Sequence, residues 1–171
     1  MRLMRRKIDD FLKEWKENED RLPLIVKGAR QIGKTASIMQ FANDNYKNVV
    51  AINFVLQQKF KSIFDDGYDV DSVVRNITLI DPSIELEPGN TIFFFDEMQD
   101  CPVCATSLKA FKIDGRYDVV CSGSLMGINY QEIESNSVGY KEDYTMHSMD
   151  FEEFLWAKGY DSAFVERLFE K

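Results

Sequence analysis

Ile8, Phe11, Leu12 and Trp15 recur at i, i+3, i+4 and i+7, the spacing of one buried helix face. An amphipathic helix is therefore predicted within residues 1–20. Leu22-Pro-Leu-Ile-Val-Lys27 is a short apolar run suited to a buried strand, with Pro23 tolerated near its start. A glycine-containing turn follows, then a helix over about 34–43. Val49-Val-Ala-Ile-Asn-Phe54 reads as a second strand. From about 57 to 80 the pattern is helical but interrupted, with Asp65-Asp-Gly67 as a break and Asp71-Ser72 as the expected cap. Asp81-Pro82 and Pro88-Gly-Asn90 are turn signals.

Thr91-Ile-Phe-Phe-Phe-Asp96 is almost uniformly apolar, as a central parallel strand covered on both faces should be. A helix is predicted over 104–112 and a fourth strand over 117–121, ending in Ser122-Gly-Ser124. Residues 125–139 are polar and without periodicity, so a loop is expected there. A fifth strand near 144–146 and a helix starting near Asp150, with Phe151, Phe154 and Leu155, complete the pattern. No internal repeat is visible. The alternation of strand and helix predicts a doubly wound α/β fold.

Composition narrows the class. The 171 residues are 44% hydrophobic and 13% aromatic, enough for a real core in one domain. With 21 basic and 29 acidic residues the net charge is −8, which disfavours a general nucleic-acid coat. No apolar run approaches the roughly 18–20 residues that span a bilayer. The basic start, Met1-Arg-Leu-Met-Arg-Arg-Lys7, is followed by alternating charged and apolar residues rather than a signal-peptide core. An odd count of three cysteines suits a reducing cytoplasm better than a disulfide framework.

The chemistry begins at Gly28-Ala-Arg-Gln-Ile-Gly-Lys-Thr35, which matches GxxxxGK[ST] at every fixed position. Glycines let successive backbone N–H groups turn inward around phosphate oxygens, and the following helix presents its positive end. Gly28, Ala29, Arg30, Gln31, Ile32, Gly33, Lys34 and Thr35 are thus the nucleotide-binding candidates. Lys34 would reach the β- and γ-phosphates and Thr35 would give a hydroxyl to Mg²⁺. The motif lies between an apolar strand and a helix, as the chemistry requires.

The apolar strand 92–95 ends in Asp96-Glu97. A carboxylate at the end of a central strand can hold Mg²⁺, partly through water, beside Thr35, and an adjacent glutamate can orient and polarise a water. Asp96 is the metal-side candidate and Glu97 the catalytic one. A glutamate at that place favours a hydrolase over a phosphotransferase, since transfer enzymes shield ATP from water. Ser122 and Ser124 end the strand expected between the first strand and the Asp96 strand. Either hydroxyl could contact the γ-phosphate or the attacking water; a small-residue turn is the plain alternative.

Lys27-Gly-Ala-Arg-Gln-Ile-Gly-Lys-Thr35, Phe95-Asp-Glu-Met-Gln99, Cys121-Ser-Gly-Ser124 and Met149-Asp-Phe-Glu-Glu-Phe154 together resemble a family of prokaryotic AAA-superfamily ATPases. The resemblance covers nearly the whole chain. It implies a five-stranded parallel sheet of order 5-1-4-3-2 in a three-layer P-loop NTPase fold, with Mg²⁺-dependent ATP binding and hydrolysis. By the same resemblance Lys34, Thr35, Asp96 and Glu97 take the roles just described, and Gln99 is a candidate relay. It further implies that residues 1–171 are an ATP-binding core normally followed by a winged-helix-like segment and a restriction-endonuclease-like domain. Two departures stand out: Ser148-Met149 where many relatives have proline, and Tyr140, beside Lys141, where many have a basic residue.

Cys101-Pro-Val-Cys104 invites a zinc reading, but a structural site needs about four ligands and only Cys121 and His147 remain. Arg75 and Arg116 are conceivable arginine fingers, though each reads first as a surface residue. Self-association and a C-terminal output part stand as candidate partners; nucleic acid is open without support, and no membrane is implied. A reading of another class is a nucleotide-dependent switch or DNA-associated scaffold with little turnover.

Overall fold

The computed structural model describes residues 5–124 and 130–169. Five parallel strands form one sheet: β1 (Leu24–Lys27), β2 (Asn48–Asn53), β3 (Thr91–Asp96), β4 (Asp118–Gly123) and β5 (Glu142–Thr145). Their order is β2-β3-β4-β1-β5, the same order, read from the other edge, as the resemblance implied. Every pairing is parallel, with Ile25 beside Cys121 and Phe95 also beside Cys121, so β4 lies between β1 and β3.

Side chains alternate across the sheet because the strand period is two. Leu24, Val26, Ile92, Phe94 and Val120 face α1 (Lys7–Glu17) and α2 (Lys34–Asn45), meeting Ile8, Leu12, Trp15, Ile38 and Phe41. Ile25, Phe93, Phe95, Val119 and Cys121 face the other way, toward α3 (Val70–Ile80) and α4 (Leu108–Asp114). There the core is aromatic: the Phe93 ring lies 5.3 Å from both Phe111 and Tyr117. All six residues of β3 are buried. Each buried Phe or Ile contributes about 1.5–3 kcal/mol, so β3 is a stiff beam whose last residue, Asp96, is placed accurately.

Several elements differ from the sequence expectation, each for a local reason. Asp69, not Asp71, caps α3: its carboxylate accepts the Ser72 N–H at 3.0 Å, leaving Asp71 in the first turn. Before it, Gln58–Phe64 winds as a 3₁₀ helix. The helix expected over 104–112 divides into a 3₁₀ turn, Pro102–Ser107, and α4, which stops at left-handed Gly115. β5 starts two residues early because Glu142 N–H bonds Pro23 O and fixes the register.

Of the stretch expected to be a loop, 125–129 lie outside the described residues, while Tyr130–Ser137 is helix α5. Its inward face carries Ile133 and Ser137, and the serine hydroxyl satisfies itself on Ile133 O. One polar inward position erased the periodicity. After α6 (Phe151–Ala157) comes α7 (Ser162–Phe169), a helix the sequence pattern did not predict. Among the described residues no helix is long and apolar enough to cross a membrane.

Candidate functional site

The loop between β1 and α2 leaves the C-terminal edge of the sheet, the edge where open α/β folds bind ligands. Ala29, Arg30, Gln31 and Thr35 are exposed on it, while Lys34 is buried. Gly28 is required by close approach: a Cβ there would lie 2.5 Å from the backbone oxygen of Met146. Gly33 has φ of +96°, a left-handed conformation that glycine adopts without strain, and it begins α2. Gln31 is also left-handed, at +61°, a bend in the crest that the sequence did not signal.

Gly28→Ala tests the contact with β5. The added methyl forces the loop and the 145–147 backbone apart, and overpacking of this kind costs about 1–3 kcal/mol. A urea melt should show that loss; unchanged stability would mean that the loop does not rest on the β5 segment.

The Lys34 ammonium turns back onto the loop, donating to Gly28 O at 2.8 Å and Ala29 O at 2.5 Å. Burial pushes its pKa below the usual lysine range, and the Glu97 and Asp96 carboxylates oppose that shift. The structure brings Thr35 and Asp96 together: the threonine hydroxyl donates to Asp96 Oδ2 at 2.8 Å. Asp96 Oδ1 accepts from the Ser122 hydroxyl at 2.5 Å and from the Glu97 N–H at 2.9 Å. Three residues from three segments thus converge on the Asp96 carboxylate. Thr35, in the first turn of α2, and Asp96, at the end of β3, are hard oxygen ligands, a set that fits Mg²⁺.

Glu97 has φ of +56°, rare for a residue with a side chain, and that turn directs its N–H back to Asp96. Its Oε2 accepts the Gln99 amide at 2.5 Å, and Gln99 Oε1 in turn accepts the Ser124 N–H at 3.3 Å. Ser122 is fully buried with its hydroxyl on Asp96, so here it supports the carboxylate rather than facing the loop mouth. Ser124 joins through its backbone.

The sequence matches the AAA domain family over residues 20–155, most of its length. The chain belongs to that family. No curated protein matches it. Among solved structures, C. elegans PCH-2 is similar at 13% identity and TM-score 0.49, over 83% of this chain and 42% of that one. A DNA replication initiation factor gives 13% and 0.47, over 78% and 44%. Drosophila ORC bound to GC-rich DNA and Cdc6 gives 12% and 0.48, over 82% and 55%. This AAA domain therefore spans about half the length of those chains.

Other candidates of the AAA domain are engaged elsewhere. Lys141 bonds both oxygens of Glu134 at 2.9 Å and also Asp143, in a cluster that includes Lys27. Arg116 is held by Asp71 at 2.6 Å and Asp114 at 2.9 Å. Cys101, Cys104 and Cys121 are buried free thiols, and burial pushes Cys101 up to about 12. One residue at the loop was missed: Arg6, whose Nη1 donates to Ile32 O at 2.9 Å. No motif marks it.

Proposed function

We propose that this AAA domain binds ATP with Mg²⁺ and hydrolyses it. The observation that carries the reading is the Thr35–Asp96 hydrogen bond, which joins the glycine loop to the end of β3. In the proposed site the N–H groups of the loop wrap the phosphates, and Lys34 leaves the loop carbonyls to pair with phosphate oxygens. Thr35 and Asp96 would hold Mg²⁺, partly through water, and the ion when bound would supply neutralisation of phosphate charge. Glu97 takes a proton from the attacking water, and Gln99 holds its carboxylate in place. Ser122 keeps the Asp96 carboxylate aimed by donating to it.

We further propose a cytoplasmic protein, in keeping with three buried free thiols. Its turnover drives a partner, whether a second copy or an output part C-terminal to residues 1–171. A single-turnover measurement of phosphate release, with and without Mg²⁺, tests the activity. Mg²⁺-dependent release of inorganic phosphate is expected. ATP retained intact would replace hydrolysis with a nucleotide-dependent switch, and phosphate on an acceptor would make the protein a transferase.

A further inference from the structure

Arg6 is nine-tenths buried, and each of its three guanidinium nitrogens has a different partner. Nη1 donates to Ile32 O of the glycine loop at 2.9 Å, and Nη2 to His147 O, just beyond β5, at 2.9 Å. Nε donates to Glu153 Oε2 at 2.8 Å, in the first turn of α6. The guanidinium also packs on Gly33: a Cβ there would sit 3.2 Å from Nη1.

Glu153 is equally committed. Its Oε2 accepts the Lys7 N–H, the first turn of α1, at 2.8 Å, and its Oε1 accepts the Asp150 N–H at 3.1 Å. The Glu153 N–H returns a bond to Asp150 Oδ1 at 2.8 Å. One carboxylate therefore caps two helices and neutralises Arg6, the one buried arginine among the described residues. Flanking contacts reinforce the junction. Lys7 Nζ lies 2.7 Å from Asp150, Arg5 stacks 4.1 Å from the centre of the Trp156 ring, and Arg5 also reaches the Ser162 hydroxyl of α7.

The bond to Ile32 O has a geometric consequence for phosphate binding. In a trans peptide the C=O and the following N–H point in opposite directions. Drawing the Ile32 carbonyl toward Arg6 turns the Gly33 N–H the other way, away from the arginine. We propose that Arg6 is a positioning residue of the glycine loop, setting the Ile32–Gly33 peptide for phosphate and tying loop occupancy to helix α6 through Glu153. This inference rests on the reading of the loop as a nucleotide site. Linkage makes the tie reciprocal: if Arg6 and Glu153 favour the phosphate-binding loop, bound nucleotide must steady α6 by the same factor.

Removing Arg6 alone strands a buried carboxylate and threatens folding. The double variant Arg6→Met with Glu153→Leu removes both charges at similar volume, so no charge is left buried unpaired. It is expected to fold with a lowered melting temperature, because the Lys7 and Asp150 N–H groups lose their acceptor. Arg6→Lys, which keeps the charge but not the three-pronged geometry, serves as the conservative companion. Calorimetric titration should show MgATP binding to the double variant weakened by about tenfold or more, the loss of one charged hydrogen bond's orientation, with Arg6→Lys between it and wild type. Hydrogen exchange supplies the readout that a merely structural role would not move: MgATP should slow the α6 amides of wild type and leave those of the double variant unchanged. Wild-type affinity in the double variant, or α6 amides in wild type that ignore MgATP, overturns the role given to Arg6. A wild-type protein that does not bind MgATP overturns the nucleotide reading itself, a result separable from the other two.

Discussion

Glu97→Gln is expected to bind MgATP within threefold of wild type and to lose turnover by about 10²-fold or more, the usual contribution of a general base. The substitution is nearly isosteric. An amide oxygen remains for the Gln99 Nε2 donor now bonded to Glu97 Oε2 at 2.5 Å, so the side chain keeps its place. The backbone bond from the residue 97 N–H to Asp96 Oδ1 is also untouched, which keeps the left-handed turn and the Asp96 carboxylate in place. What disappears is the proton-accepting oxygen. Calorimetry for binding and phosphate release for turnover separate the two effects. Turnover retained in Glu97→Gln would remove the glutamate from the role of base.

Lys34→Ala should act on the other half of the cycle, weakening MgATP binding by about 10²–10³-fold, the worth of one or two charged hydrogen bonds to phosphate. Alanine is a good helix former at the start of α2, and Ala29, whose carbonyl loses a donor, is exposed to water. The fold should therefore survive, with a melting temperature close to wild type. The pH dependence sharpens the test. Burial has already lowered the Lys34 pKa, with Glu97 and Asp96 pulling it back up, and in the proposed site phosphate pairs with the charged ammonium. Wild-type affinity should fall as pH rises through that lowered value, somewhere below 10.5, and the alkaline limb should be missing in Lys34→Ala. Equal affinities for MgATP in the two proteins would overturn the assignment.

The parts of this molecule most legible in its sequence are those whose signal is local. Thr91–Asp96 was readable because a strand buried on both faces must be apolar at every position, and the strand has those bounds. Gly28 and Gly33 were readable because one position cannot hold a Cβ and the other is left-handed. Helix α5 was hidden because Ser137 spends its hydroxyl on its own helix, making a polar residue serve as an inward one. The Asp69 cap was misplaced by two residues because Asp69 and Asp71 carry the same chemistry, and φ and ψ, not residue type, separate them. Ser122 was recognised as a polar strand end near the phosphates, yet its partner Asp96 depends on the order of strands. Arg6 lay beyond reach altogether: a basic residue before a helix is ordinarily solvated, and nothing near it in sequence names Glu153.

The Arg6–Glu153 pairing also sets an order of events in the life of the polypeptide. Arg6 and Glu153 are 147 positions apart, so the ribosome makes the arginine long before its carboxylate exists. Arg6 and the loop both emerge early, Ile32 lying 26 positions after the arginine. The Arg6–Glu153 contact closes one of the longest circuits among the described residues, after all five strands are made. A nascent chain that has completed β4 but not α6 holds Lys34, Thr35, Asp96 and Glu97 and lacks the carboxylate that pairs with Arg6. Arg6 thereby gains its buried counter-charge only once α6 is made.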